Sequence, residues 1–77
     1  MSVKVYSTSS CPWCTVAKNY LSQKNVKFED VDVNRDREAA MEMVRKSGQR
    51  GVPVLDINGS IIVGFDQTAI DNALRKQ

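Results

Sequence analysis

Residues 3–21 read VKVYSTSSCPWCTVAKNYL, and this stretch decides the fold. It begins with a short β-prone run and ends in a helical pattern of apolar side chains. Between them lies Cys11-Pro12-Trp13-Cys14, so a strand would deliver two thiols to the start of a helix. Backbone N–H groups are unpaired there and the helix dipole is positive, which favours a thiolate at Cys11. Pro12 suits the first helical position because its missing N–H would have no partner.

The cysteine pair has three possible roles. A Cys-x-x-Cys motif within a βαβ pattern is typical of a reversible, thioredoxin-like dithiol. A zinc site normally needs four protein ligands, whereas this chain has two cysteines and no histidine. A structural disulfide would enclose a very short loop, and the stabilisation that a disulfide gives grows with loop length. We therefore predict redox chemistry with Cys11 as the nucleophile, and no metal is expected.

The composition is that of a small globular domain. The chain has 77 residues, 42% hydrophobic and 26% charged, which predicts a single domain over residues 1–77 with a thin core. The net charge of +2 is spread along the chain, so neither nucleic acid nor a membrane is expected as a partner. The protein is expected to be a monomer. There is no apolar run of about 18 residues and no signal-peptide pattern, so a reducing cytoplasm is the expected location.

Apolar periodicity and turn signals predict seven elements in the order β-α-β-α-β-β-α. The predicted strands are 3–7, 26–33, 52–57 and 60–63, and the predicted helices are 12–24, 36–47 and 67–75. Asn25, which tolerates left-handed geometry, and Gly48 are expected to end the first two helices. The dipeptide Asn58-Gly59 predicts a type I′ hairpin, while the first two strands should pair in parallel. The fold class is therefore α/β, with a four-stranded mixed sheet flanked by three helices.

Helix caps and buried faces follow from the same pattern. Residues 7–10 are expected to turn the chain and cap the first helix, and Asn34 or Asp36 the second. One apolar stripe is expected along each helix. The stripes are Val16, Ala17, Tyr20 and Leu21; Ala39, Ala40, Met43 and Val44; and Ala69, Ile70, Ala73 and Leu74.

Three separated motifs resemble those of the glutaredoxins, small members of the thioredoxin superfamily, over essentially the full chain. The Cys-Pro-Trp-Cys motif at 11–14 resembles their Cys-Pro-Tyr-Cys. Residues 51–53, Gly-Val-Pro, fall where glutaredoxins carry Thr-Val-Pro, and residues 64–66, Gly-Phe-Asp, fall on their Gly-Cys-Asp segment. The resemblance implies a thioredoxin-like fold and a thiol–disulfide oxidoreductase that uses glutathione as its reductant and co-substrate.

The resemblance also implies roles for individual residues. Cys11 would attack and Cys14 would resolve, forming a redox-active Cys11–Cys14 disulfide. Pro53 would follow a cis peptide bond and face Cys11, while the Val52 backbone would pair with glutathione. The full set of expected glutathione contacts is Thr8, Pro12, Trp13, Arg50, Val52, Pro53, Phe65 and Asp66.

Physical reasons support two of these contacts. The γ-glutamyl group is expected at the loop of Phe65 and Asp66, because N–H groups at a helix start hold carboxylates. Arg50 would hold the other carboxylate, since a guanidinium presents a matching fork. Asp66 has a second interpretation as the N-cap of the last helix, which needs no ligand. Both roles are compatible.

Departures from the family pattern leave other functions open. Thr8 stands where many glutaredoxins carry lysine, Gly51 replaces threonine, and Phe65 replaces a small polar residue or cysteine. These changes also resemble NrdH-type redoxins, which thioredoxin reductase reduces. A carrier of a [2Fe–2S] cluster, ligated by Cys11 and glutathione from each of two chains, is an alternative of another class. Candidate partners are disulfide-containing or glutathionylated proteins, such as ribonucleotide reductase or methionine sulfoxide reductase.

Overall fold

A computed structural model describes residues 2–75. The elements are β1 (Val3–Ser7), α1 (Pro12–Gln23), β2 (Glu29–Asp32), α2 (Arg37–Ser47), β3 (Val54–Ile57), β4 (Ser60–Val63) and α3 (Gln67–Arg75). This confirms the predicted order β-α-β-α-β-β-α. No helix in the described range is long and apolar enough to cross a membrane.

The four strands form one mixed sheet in the order β2-β1-β3-β4. Strand β1 lies at its centre, parallel to β2 and antiparallel to β3, and β4 is antiparallel to β3. The two predicted pairings are therefore confirmed. Because β1 is central, the segment that follows it leaves the middle of the sheet, and this is where the two cysteines lie.

Two strands begin later in the structure than the sequence predicts. Strand β2 begins at Glu29, because Val26 and Phe28 lie before it and pack against the core as half-buried loop residues. Strand β3 begins at Val54 rather than residue 52. Pro53 has no N–H to give to the sheet, so the ladder starts after it.

The predicted turns are largely confirmed by the backbone. Asn25 has a φ of 60°, and Gly48 ends α2 with a φ of 75°. Asn58 and Gly59 have φ values of 51° and 93°, as a type I′ turn requires. Of the two cap candidates for α2, Asp36 is the N-cap, and its carboxylate accepts from the Ala39 N–H at 3.1 Å.

The helices cover both faces of the sheet and give three layers. Helices α1 and α3 pack on one face, called the α1/α3 face, and α2 packs alone on the other, the α2 face. The core of the α1/α3 face consists of Val3, Val5, Ala17, Leu21, Leu55, Ile57, Ile62, Ile70 and Ala73. The core of the α2 face is smaller and consists of Tyr6, Met43 and Val54.

Two expected core residues are exposed. Val16 on α1 and Val44 on α2 expose 40% and 36% of their surface. The buried stripe of α1 runs through Cys14, Ala17 and Leu21, so Val16 is rotated away from the sheet. Val44 lies one position beyond the buried Met43 and faces outward in the same way.

A polar network lies beside the small core of the α2 face. The Tyr6 hydroxyl donates to the Glu42 carboxylate, and Lys46 Nζ donates to Tyr6 Oη at 3.0 Å and to Asp56 Oδ2 at 2.6 Å. Lys4 pairs with Glu42 at 3.6 Å. The hydrogen bond from Tyr6, followed by that from Lys46, lowers the pKa of Glu42 to about 2. Burial, the largest cause, raises the pKa of Tyr6.

Candidate active site

The first cysteine caps the helix that it precedes. Cys11, with φ −104° and ψ 107°, is the N-cap of α1, and its Sγ accepts from the Cys14 N–H at 3.1 Å. The expectation that a side-chain oxygen from residues 7–10 caps α1 is therefore wrong. The sulfur takes the position that a Ser or Asp oxygen usually holds, because the chain leaves β1 and enters α1 with Cys11 already at the turn. A negative charge on this sulfur lies at the positive end of the helix dipole.

The two thiols differ in access. Cys11 is half-buried, whereas Cys14 is fully buried in the first turn of α1. Burial, followed by a hydrogen bond with Cys11, raises the pKa of Cys14 to about 11, although the Thr8 backbone acts in the opposite direction. A disulfide substrate from solvent therefore reaches Cys11 first. Cys14 stays protonated behind it at neutral pH.

A cis peptide bond joins Val52 to Pro53, as predicted. The Cys11 Sγ–H donates to the Val52 carbonyl at 3.9 Å, which places the segment just before β3 against the first cysteine. The buried Pro53 carbonyl accepts from Gly64 N–H at 2.8 Å. This bond holds the segment after β4 beside the cysteines.

An aromatic cleft opens next to the two cysteines. Trp13, Val52, Pro53, Gly64 and Phe65 line a space of about 240 Å³. The Trp13 and Phe65 rings are stacked, with centroids 6.2 Å apart and planes inclined by 19°. Trp13 is 60% exposed, so one wall of the cleft is open to a partner.

Tyr20 supports this cleft, although the sequence predicts only a core role for it. Its ring meets Phe65 edge to face at 5.6 Å, and its hydroxyl donates to Asp71 Oδ1 at 2.5 Å. Lys24 Nζ pairs with the same carboxylate at 3.3 Å and lies 5.1 Å from the Tyr20 ring centroid. Tyr20 lies seven residues after Trp13, which is two helical turns, and this spacing is the signal that links it to the site.

Asp66 acts as the N-cap of α3. Its Oδ1 accepts from the Ala69 N–H at 3.1 Å, and its carbonyl accepts from the Ile70 N–H at 2.9 Å. The cap interpretation is therefore confirmed. A carboxylate ligand at this helix start would meet an N–H that Asp66 already engages, and a ligand role for Asp66 stays a prediction.

The remaining predicted contacts lie at different distances from the cleft. Thr8 is half-buried, with its backbone directed at Cys14, and Pro12 is exposed as the first residue of α1. Arg50 is exposed and lines a groove beside α2 rather than the aromatic cleft. The structure therefore gathers the aromatic, proline and cysteine residues of the predicted site and leaves Arg50 at its edge. Within residues 2–75, no group of three or more His, Cys, Asp or Glu side chains is placed to hold a metal ion.

This arrangement defines a class. A Cys-x-x-Cys motif at a helix start, beside a cis-proline that precedes an interior strand of a four-stranded mixed sheet, is that of a redox protein with the thioredoxin-like fold. The Glutaredoxin family model matches residues 3–62, and the chain belongs to the glutaredoxin family. Members of this family are thiol–disulfide oxidoreductases.

Similar proteins agree with this assignment. The chain is 49% identical over 74 residues to an uncharacterized glutaredoxin-like 8.6 kDa protein in the rubredoxin operon of Clostridium pasteurianum, covering 96% of this chain and 99% of that one. A mutant of the thioredoxin-like protein BC3987 superposes with a TM-score of 0.90 at 26% identity, over 99% of this chain and 97% of the other. NrdH-redoxin from Escherichia coli, described as a glutaredoxin-like protein with a thioredoxin-like activity profile, has a TM-score of 0.79 at 27% identity, over 100% and 96% of the two chains.

Proposed function

We propose that this protein is a glutathione-dependent thiol–disulfide oxidoreductase that uses both cysteines. The observation that carries the proposal is the pairing of an accessible Cys11 sulfur, hydrogen-bonded to the Cys14 N–H, with a buried Cys14 thiol behind it. The Cys11 sulfur can react with a substrate that arrives from solvent. The Cys14 thiol lies behind it and can react only in an internal step. Glutathione and thioredoxin keep thiols reduced in the cytosol, and we place this protein in the cytoplasm.

The first step uses Cys11. Its thiolate attacks one sulfur of a substrate disulfide, a Cys11–substrate disulfide forms, the substrate S–S bond breaks, and the departing thiolate takes up a proton. The N–H of Cys14 and the dipole of α1 stabilise the attacking thiolate before the reaction. No change of fold is required, because the Cys11 sulfur already contacts the carbonyl of Val52, a residue that lines the aromatic cleft.

The second step uses Cys14. It loses its proton and attacks the Cys11 sulfur, forming the Cys11–Cys14 disulfide and releasing the second substrate thiol. The hydrogen bond and charge of Cys11 both raise the pKa of Cys14, after burial. Once Cys11 is part of a mixed disulfide, these two contributions are lost and Cys14 is more easily deprotonated. Two molecules of glutathione then restore both thiols and leave as glutathione disulfide.

Glutathione binding is supported by the backbone beside Cys11. Val52 lies before the first residue of β3, and among residues 2–75 its N–H makes no backbone hydrogen bond, while its carbonyl faces the Cys11 sulfur. An extended tripeptide can form backbone hydrogen bonds with Val52, which lies outside the ladder of the sheet. Arg50, two residues earlier, is exposed and available to a carboxylate of the same ligand.

Single-cysteine variants test the two steps. Cys11→Ser is expected to lose all disulfide reduction, because the accessible sulfur is removed. Cys14→Ser should retain reduction of a glutathione mixed disulfide, which needs one cysteine, and lose reduction of protein disulfides. Both are measured as NADPH consumption with glutathione and glutathione reductase. A Cys14→Ser variant that reduces protein disulfides at the wild-type rate would contradict the assigned roles.

A second candidate is an electron donor of the NrdH type. The stacked Trp13 and Phe65 rings form an open apolar wall suited to a protein surface, and Thr8 supplies no cation for a glutathione carboxylate. The structural similarity to NrdH-redoxin points the same way. Replacing glutathione and its reductase with thioredoxin reductase in the same assay separates the two candidates. Turnover only with thioredoxin reductase would favour the NrdH-type function and reject glutathione dependence.

A further inference from the structure

A groove with unpaired arginines runs along the outer side of α2. It measures about 570 Å³, and no Asp or Glu is among the residues that line it. We call it the arginine groove; its apolar floor includes Val33, Met41 and Val44, and its rim is formed by Arg37, Arg45 and Arg50. Met41 and Val44 are 55% and 36% exposed, so the floor is open to solvent.

The rim charges are available for a partner. Ion pairs within residues 2–75 engage Lys4, Lys18, Lys24, Arg35 and Lys46. None of these pairs uses an arginine of the groove. The acidic side chains of α2 lie outside the groove. Glu42 belongs to the polar network, and Glu38 lines a neighbouring depression. Of the three rim arginines, only Arg45 also lines that depression.

The groove is connected to the candidate active site through the core of the α2 face. Its floor contains the buried Met43, which packs in the core of the α2 face together with the half-buried Val52. The Val52 carbonyl in turn accepts from Cys11 Sγ. Arg50 lines the groove and precedes Val52 by only two residues, so a chain bound in the groove can continue towards the reactive sulfur.

We propose that the arginine groove binds an acidic, apolar segment next to the disulfide of a protein substrate. This inference rests on the proposed function and names the kind of partner that its site accepts. Arg37 and Arg45 are eight residues apart on one helix, which is about 12 Å along its axis. An extended chain covers that length in about four residues, so acidic side chains at that spacing, with apolar ones between them, match the rim and the floor.

Two synthetic peptides provide the probe. Both carry the same intramolecular disulfide and a glycine linker, followed by a tail of alternating Glu and Leu in one and of Lys and Leu in the other. Fully reduced protein is mixed with each oxidised peptide, and a single turnover is followed, so no recycling reductant is needed. We expect the acidic peptide to be reduced about tenfold faster at low salt, because the corresponding about 1.4 kcal/mol is within what two exposed ion pairs contribute. Salt should shrink the advantage.

Charge reversal in the groove tests the location. The double variant Arg37→Glu/Arg45→Glu should lose the preference for the acidic peptide and keep the wild-type rate on an uncharged small disulfide, bis(2-hydroxyethyl) disulfide. The matched control Lys27→Glu/Arg75→Glu makes the same change of charge outside the groove and should keep the preference. If charge reversal impairs folding, Arg37→Gln/Arg45→Gln should still remove most of the preference.

The outcomes separate this inference from the proposed function. Equal rates on the two peptides, with normal reduction of the small disulfide, would reject the groove and leave the redox function intact. Equal slowing of all three substrates in the groove variants would also reject it. Reduction of none of the three by the wild type would reject the redox function and this inference with it. A dimer in sedimentation experiments that the double variant dissociates would instead assign the groove to a second copy of this chain.

Discussion

The two faces of the sheet are covered by helices in different ways. On the α1/α3 face two helices bury a continuous apolar core, whereas on the α2 face one helix covers a small apolar core and a polar network. The difference reaches the site, because the buried Cys14 belongs to α1 and the Val52 backbone adjoins the core of the α2 face. On the α1/α3 face, burial keeps the Cys14 thiol protonated. On the α2 face, the polar network holds charged side chains at the surface.

The largest expected effect comes from a matched pair of core substitutions. Val5 and Val54 are both fully buried, on adjacent strands, but Val5 faces α1 and α3 while Val54 faces α2. Val5→Ala should lower the free energy of unfolding by about 2 to 3 kcal/mol, from lost apolar transfer plus a cavity that rigid neighbours cannot fill. Val54→Ala should cost about 1 to 2 kcal/mol, because the flexible Met43 can move into the space.

Urea denaturation of both variants measures this difference. The slope of unfolding free energy against urea should stay unchanged, which shows that stability alone is altered. An equal or larger loss at Val54 would mean that the two faces pack equally tightly, and the contrast between them would fail.

The next effect concerns the reactivity of Cys14. Burial raises its pKa to about 11, so the thiolate population of Cys14 at pH 7 is far lower than that of an ordinary cysteine. Alkylation of the reduced protein, followed by peptide mass spectrometry, should therefore modify Cys11 first. Modification of Cys14 should keep rising up to about pH 11. The same experiment in guanidinium chloride, where burial is lost, is the control, and a midpoint for folded Cys14 at or below that of the unfolded chain would contradict the structure.

The smallest effect is the acid sensitivity of the polar network. The pKa of Glu42 falls from 4.5 to about 2 on folding, so this carboxylate stabilises the protein above pH 4.5 and the stabilisation is lost as the pH falls towards 2. Glu42→Gln should therefore reduce the difference in thermal midpoint between pH 6 and pH 3. At pH 6 the cost should be up to about 1 kcal/mol, since half-exposed ion pairs contribute little.

Glu38→Gln is the matched control for that measurement. It makes the same Glu-to-Gln change on the same helix but leaves the hydrogen bond from Tyr6 to Glu42 in place. The two variants should differ in their acid dependence. If they behave alike, the polar network does not contribute to stability in the way described.

The order of elements and the central motif could be predicted from sequence because their causes are local. Apolar repeats of two and of three to four residues mark strands and helices, and Asn58-Gly59 and Gly48 mark turns through their backbone freedom. The redox role of the Cys-x-x-Cys pair can likewise be predicted from the strand and helix patterns that directly flank it. Its placement at a helix N-terminus is confirmed for this reason.

Properties that depend on distant partners were decided only by the tertiary structure. Three such properties follow from how the chain packs around the sheet. They are the central position of β1, the division of the helices between the two faces, and the role of Cys11 as the N-cap of α1. Tyr20 joins the site through Phe65, which is 45 positions away in the chain. The arginine groove arises because Arg50 comes beside Arg37 and Arg45 only after α2 packs on the sheet. Local pattern determines where helices and strands form, whereas burial and charge environment depend on contacts between residues that are far apart in sequence.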